Sequence, residues 1–161
     1  MIRHAAPSDH ATIRDIVAAA FKRPDEADLV ERLRADGDAM FELVEDAEGV
    51  VTGHILFSRL WADSLSLYAA LAPVAVRPDV QRLGTGERLC RAGLAAAKEF
   101  GAGAVVVLGH PAYYPKFGFS TQAARDLQCS FTGLPAFMAI ELEPGALAQP
   151  LLIAYPEAFG V

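Results

Sequence analysis

Gln81, Gly84 and Gly86 lie in the stretch "RPDVQRLGTGERL", between an apolar run and a segment with helical spacing. Two glycines one residue apart remove the side chains that would hold a bulky anion off the backbone. A helix beginning there adds free N–H groups and a partial positive charge. Arg82 places a full charge beside them. The chemistry this spacing supports is the grip of a phosphate or diphosphate by main-chain donors. A Walker loop would need Lys-Ser or Lys-Thr after the last glycine, and Glu87-Arg88 follows Gly86. A dinucleotide-binding fingerprint would need a small residue where Leu89 stands. It would also need an acid at the end of the next strand, where Gly109-His110 stand. A pyrophosphate loop of the form Gln/Arg-x-x-Gly-x-Gly/Ala accommodates Gln81, Gly84 and Gly86. A strand-to-helix turn that merely needs glycine competes with it, since short glycine patterns recur by chance.

Other reactive side chains offer less. His4, His10, His54 and His110 show no metal-ligand spacing, and Cys90 and Cys129 form no Cys-x-x-Cys pair. Metal is therefore not expected. Ser58 and Ser64 lack the context of a nucleophile elbow, and Cys90 falls inside a helical pattern, where packing is its expected role.

Composition narrows the class. The chain has 161 residues, 53% hydrophobic and 21% charged, with a net charge of −6. That suits a single domain, residues 1–161, with a real core. The acidic balance argues against nucleic acid and against an anionic membrane, both of which call for a basic face. It leaves room for an anion held locally by backbone amides. The opening "MIRHAAPSDHATIRDIV" is broken by charges, and the apolar runs "LYAALAPVAV" and "AVVVLG" are too short to span a bilayer. A cytoplasmic protein is expected.

The elements that must position the loop read as follows. "MIRHA" is a short strand. Ser8 is expected to cap a helix with Asp9 in its first turn and Ile13, Ile16, Val17 and Ala20 on its inner face. Pro24 opens a second helix with the stripe Leu29, Val30, Leu33, closed by Gly37. A hairpin turns around Asp46 to Gly49, with strands near 40–45 and 50–60. "SLSLYAALAPVAV" is extended, with Pro73 marking a bulge or a missing ladder bond. "GERLCRAGLAAAKEFG" is a helix with Leu89, Ala92, Gly93, Ala96 and Ala97 inward, ended by Gly101 or Gly103. "AVVVLG" is a buried strand, and "FMAIELE" and "LLIAYPEAF" are closing strands. The order predicts a mixed α/β domain around one sheet.

From Leu71 to Phe119, "LAPVAVRPDVQRLGTGERLCRAGLAAAKEFGAGAVVVLGHPAYYPKFGF" resembles the GNAT N-acetyltransferase superfamily. The strand, the Gln-x-x-Gly-x-Gly loop, the helix, the next strand and a Tyr-x-x-x-Gly-Phe ending carry the likeness. "VVVLGHPAYYPKFGF" with the closing "YPEAF" looks like that superfamily's YhbS-type branch. The implied fold is the acyl-CoA N-acyltransferase fold, an α/β (α+β) protein. Its central sheet is mostly antiparallel, flanked by helices and splayed at the cofactor strand. The implied donor is acetyl-CoA. Backbone N–H groups of Arg82, Leu83, Gly84, Thr85 and Gly86 would hold its pyrophosphate, and Val74, Ala75 and Val76 would run along the pantetheine arm. A bulge at Pro73 would help open the sheet there, and the N–H of a residue such as Val76 would polarise the thioester carbonyl. Tyr114 aligns with the family tyrosine that protonates the departing thiolate. A phenol of pKa about 10 can supply that proton to a thiol of pKa about 8.5. Tyr113 is expected to pack or line the pocket, Gly118 to turn the chain and Phe119 to fill the core.

His110, at the strand end where the sheet would open, is of the side-chain type that titrates nearest neutrality and suits a proton relay. Equally, it is a loop histidine bonding to backbone. Many relatives carry a carboxylate base on the strand before the loop, and "LYAALAPVAV" has none. Glu42, Glu45, His54 and Asp63 are the remaining candidates, each more simply read as solvated surface. Glu42 and Glu45 fall on opposite faces of one strand. The implied reaction is direct attack of a small-molecule or peptide amine on acetyl-CoA in a ternary complex. A non-catalytic acyl-CoA sensor and a sheet-edge interaction domain without ligand are the competing functions. The resemblance also admits a homodimer, which no stretch of the sequence shows.

Overall fold

Two consecutive residues with positive φ, Glu48 at 53° and Gly49 at 88°, turn the first hairpin in the two-residue manner that matches strand twist. Asp46 Oδ1 accepts the N–H of Gly49 at 2.7 Å and closes the turn. The computed structural model containing this hairpin describes all residues, Met1–Val161. No helix is long and apolar enough to cross a membrane.

Eight strands are β1 (Ile2–His4), β2 (Ala39–Ala47), β3 (Val50–Ala62), β4 (Leu67–Val76), β5 (Ala102–Leu108), β6 (Leu127–Gln128), β7 (Phe137–Glu141) and β8 (Leu151–Ala154). Four helices are α1 (His10–Phe21), α2 (Asp25–Ala35), α3 (Thr85–Phe100) and α4 (Thr121–Ala124). The hydrogen-bonded order is β1-β2-β3-β4-β5-β7, with β8 on β3 and β6. The pairs β1–β2, β2–β3, β5–β7 and β3–β8 are antiparallel, while β4–β5 and β6–β8 are parallel. This is the mixed α/β sheet with flanking helices that the element order predicts. The chain divides into two compact units, Met1–Ser58 with Ala72–Gly93, and Arg59–Leu71 with Leu94–Val161.

In the first unit, period-2 alternation along β2 and β3 sends one set of side chains to α3 and the other to the opposite face. Gly53 and Gly93 decide how near α3 comes. A Cβ on Gly53 would lie 2.8 Å from both Leu89 Cδ1 and Thr85 Cγ2, and one on Gly93 would lie 2.5 Å from Phe57 Cε1. Phe57 is fully buried and stacked on Phe41 at 4.8 Å, so it cannot retreat. Gly93→Ala is therefore expected to destabilise. The helical gain of about 1 kcal/mol is outweighed by overpacking of about 1–3 kcal/mol. A urea midpoint at or above that of the parent would contradict this.

Two local expectations are corrected. Ser8 does not cap α1; Pro7–Asp9 form a 3-10 turn, and Asp9 Oδ2 accepts the Ala6 N–H at 2.7 Å. Asp9 stands at the N-cap of α1 without a side-chain cap bond, its carboxylate held instead by Arg3 at 2.8 and 3.0 Å. In α2 the buried residues are Ala27, Val30 and Leu33, with Leu29 half-exposed.

In the second unit, β5 lies between the first part of β4 and β7. The β4–β5 ladder runs from Leu67↔Ala102 to Leu71↔Val107 and stops there, while β4 itself continues to Val76. The peptide Ala72–Pro73, which is cis, follows at once, and Pro73 has no N–H to offer a ladder. Tyr68, Val106, Leu127, Phe137 and Ile153 are among the residues of this unit's core. Ser120 Oγ caps α4 by accepting the Ala123 N–H at 3.1 Å.

Candidate active site

The loop that follows β4 is built by backbone demands before any side chain acts. A 3-10 turn, Pro78–Val80, leads into Arg82 at φ 66° and Gly84 at φ 90°. Gln81 Nε2 donates to the Val76 carbonyl at 3.1 Å and ties the neck of the loop. The Arg77 N–H donates to Thr52 O at 2.9 Å, fastening the end of β4 to β3. The Arg88 N–H donates to Gly84 O at 3.0 Å, so Gly84 supplies the first helical acceptor of α3. The N–H groups of the following residues have no partner within the helix, as at any helix start.

Between the two glycines stands Thr85, and its side chain points inward. It is buried, and its hydroxyl donates to Glu45 Oε2 at 2.8 Å. The stretch Gly84-Thr85-Gly86 consequently projects no side chain of its own outward, and the Arg88 guanidinium reaches toward the Cα of Gly84. Sequence reasoning found the glycines and missed this anchor. The available signal was a small polar residue between glycines, where a solvated side chain would have stood in the anion's way. On β4, Val74 and Val76 are half-exposed and alternate with buried Ala75.

His110 and Tyr114 share one turn in the second unit. The His110 carbonyl accepts the N–H groups of Tyr113 at 3.0 Å and Tyr114 at 3.4 Å, while its side chain is exposed. A 3-10 turn, Tyr114–Phe117, carries Pro115 in its first turn and ends at Gly118 with φ 104°. The Tyr114 ring is buried against Tyr113 at 5.1 Å and Phe119 at 5.7 Å, both edge-on. Gly109 is the notch for that ring, since a Cβ there would lie 2.4 Å from Tyr114 Cε2. Phe119 is buried and Gly118 turns the chain, as the sequence reading expects. Tyr113 packs on Phe117 and lies under Lys116 Nζ at 4.3 Å.

Of the carboxylates considered as bases, Asp63 is exposed, as expected, while Glu42 and Glu45 are not solvated surface. Glu42 accepts two hydrogen bonds from Arg34 at 2.8 Å and lies 2.8 Å from His54 Nε2. Burial opposes its ionisation, but the bonds from His54 and Arg34 outweigh burial and bring its pKa to about 2. Glu45 is held at about 2 chiefly by Arg88, with Thr85 and Thr52 also donating to it. A carboxylate so stabilised is a poor proton acceptor. Asp63 Oδ1 accepts the Leu152 N–H at 2.9 Å. His54 is fully buried, which lowers its pKa despite Glu42; its Nε2–H faces Glu42, and Nδ1 has no hydrogen-bond partner. Cys90 and Ser58 are buried, and no group of three His, Cys, Asp or Glu side chains is arranged to hold a metal ion.

These shifts share a sign. Each folded-state pKa lies below its unfolded value, so the unfolded chain binds protons first and stability is lost as the pH is lowered. His54 acts from about pH 6.5 downward. Glu42 and Glu45 act between their ordinary 4.5 and about 2. The melting temperature is expected to decline below pH 6.5 and more steeply below 4.5. A rise across that range would contradict the buried pairs.

Residues 10–119 match the acetyltransferase (GNAT) family, an interval that holds the loop, α3 and Tyr114. The chain belongs to the GNAT acetyltransferase family. Over 163 aligned residues this GNAT chain is 37% identical to YhbS of Escherichia coli strain K12, an uncharacterized N-acetyltransferase; the match covers 99% of the chain and 98% of the relative. A crystal structure of E. coli YhbS in complex with CoA superposes with a TM-score of 0.91 at 34% identity, covering 100% and 92% of the two chains. A GNAT acetyltransferase from Brucella melitensis in complex with acetyl-CoA superposes with a TM-score of 0.82 at 32% identity, covering 99% and 97%. The mixed sheet of the GNAT fold and the acyltransferase class are thus established for the chain.

Proposed function

We propose that this GNAT enzyme takes acetyl-CoA as donor and acetylates a small-molecule or peptide amine by direct attack in a ternary complex. The observation that carries the reading is the loop Gly84-Thr85-Gly86 at the start of α3, its one central side chain turned inward onto Glu45. That loop suits a diphosphate because oriented amides and a helix start act at short range, even in a chain of net charge −6. The two similar solved structures, which contain CoA and acetyl-CoA, support the same donor.

In this reading the main-chain donors from Arg82 to Gly86 hold the diphosphate. Val74, Ala75 and Val76 pair with the pantetheine arm, and a β4 amide such as that of Val76 polarises the thioester carbonyl. Acetyl-CoA supplies an activated acyl carbon. The amine nitrogen bonds to that carbon, the C–S bond breaks, and Tyr114 gives its phenolic proton to the sulfur. Glu42 and Glu45 are fully engaged with arginines, so neither takes the proton the amine loses. That proton passes to solvent, from which Tyr114 is reprotonated. His110, exposed in the same turn as Tyr114, is the side chain we propose to help that exchange.

The deciding experiment incubates the purified protein with acetyl-CoA and a panel of amines, read by thiol release and mass spectrometry. Acetyl-CoA-dependent mass gain of 42 Da on at least one amine is expected, as an acetyl group replaces a hydrogen (roughly 42 Da by composition). Binding without turnover across small amines and peptide N-termini would instead favour a sensor. Absence of binding would remove the loop assignment.

A further inference from the structure

Arg88 lies one turn into α3 and makes more contacts than a surface arginine needs. Its Nε donates to Glu45 Oε1 at 2.6 Å and its Nη2 to Glu45 Oε2 at 3.1 Å, a two-pronged grip on one carboxylate. Its Nη1 donates to the carbonyl of Leu83 at 3.2 Å, and its Nη2 also reaches Thr85 Oγ1 at 3.2 Å. Glu45 in turn accepts from the hydroxyls of Thr85 at 2.8 Å and Thr52 at 3.2 Å. Its side chain is about nine-tenths buried beneath the first turn of α3, where Gly53 lets that turn approach. One carboxylate and one guanidinium thus tie β2, β3, the glycine loop and the helix start together.

We infer that Glu45 and Arg88 are positioning residues that hold the Leu83–Thr85 backbone in its diphosphate-binding shape, an inference that rests on the donor reading above. Three observations point this way. The loop contains a non-glycine residue, Arg82, with positive φ, and such a conformation persists only where its surroundings enforce it. Arg88 bonds a loop carbonyl rather than pointing all its donors at solvent. The same guanidinium closes over the Cα of Gly84, where a Cβ would meet Nη1 at 2.9 Å. A loop made mostly of glycine and exposed residues has much conformational entropy to lose on binding. A clamp made in advance removes that cost from the binding step.

The rival role for Arg88 is a direct phosphate contact that Glu45 merely restrains. The two roles predict opposite signs for Glu45→Gln. Positioning weakens coenzyme binding, because the two-pronged grip is lost. A restrained ligand would be freed, and binding would tighten. The test measures dissociation constants by calorimetry for acetyl-CoA and, by competition, for S-acetylpantetheine, which lacks the nucleotide diphosphate. Glu45→Gln and Arg88→Met are each expected to raise the acetyl-CoA Kd tenfold or more and to change the S-acetylpantetheine Kd less than twofold. Thr85→Val, which removes a single hydroxyl, is expected to raise the acetyl-CoA Kd about threefold and serves if either charge variant fails to fold. Unchanged or tighter acetyl-CoA binding in Glu45→Gln overturns the inference. Equal loss for both ligands also overturns it, since that would be general damage. A parent protein that binds no acetyl-CoA overturns the donor reading itself, before any variant is compared.

Discussion

Gly84→Val raises the Kd for acetyl-CoA at least 100-fold, on the expectation that main-chain donors at this position meet the diphosphate. Gly84 has φ 90°, a conformation that a β-branched residue adopts only under strain of about 1–3 kcal/mol. The added side chain also meets Arg88 Nη1 at 2.9 Å and would disturb the clamp on the loop. Nη1 is the end of a half-exposed side chain and not packed core, so the fold can absorb the change, whereas the diphosphate-binding loop cannot. Isothermal calorimetry checks the affinity and a thermal melt checks the fold. Gly133→Ala is the control. Gly133 has φ 87° with nothing within 4 Å of its added Cβ, so it carries the backbone strain without touching the loop. Gly133→Ala is expected to leave the Kd unchanged. Equal affinity in Gly84→Val and the parent would sink the loop assignment.

The second large effect is on turnover. Tyr114→Phe is expected to lower kcat by about 10²–10⁴, the usual contribution of a positioned acid, with the acetyl-CoA Kd within twofold. Phenylalanine keeps the ring in the Gly109 notch and its edge contacts with Tyr113 and Phe119, so only the hydroxyl is removed. The comparison therefore isolates proton supply from packing. If the variant and the parent turn over an amine equally fast, Tyr114 is a core residue and the acid lies elsewhere. A parallel loss of kcat and affinity would mean that the ring, and not its hydroxyl, organises the site.

The absence of a carboxylate on β4 gains meaning from what became of the others. Glu42 and Glu45 sit on opposite faces of β2, as alternation along a strand requires. Each face supplies its carboxylate with arginine and a further donor, and both are held at about 2. Their work is to join elements: Glu42 ties α2 to β2 and β3, and Glu45 ties α3 to the same strands. Under the proposed passage of the amine proton to solvent, turnover depends on the fraction of the amine that is neutral in solution. Rates that climb with pH toward the pKa of the amine follow from this, and a pH-independent rate near neutrality would call for a base not yet identified.

The local requirements of the backbone were legible in the chain itself. The glycine at 84, the proline at 73, a turn around Asp46 to Gly49 and the alternation of Glu42 and Glu45 each follow from φ, ψ and side-chain period. These depend on a residue and its near neighbours alone. The strand–loop–helix order around Gln81–Gly86 was readable for the same reason. What the tertiary structure decided was which distant groups meet. Nothing near Glu45 in sequence points to Arg88, 43 residues away. Nothing near Gly109 shows that its missing side chain makes room for the Tyr114 ring, and the hold of Arg3 on β1 over the Asp9 carboxylate likewise arises only in the folded chain. Charge partners and notches are properties of three-dimensional proximity. They arise only after burial has brought the faces of the elements together, which no local pattern encodes.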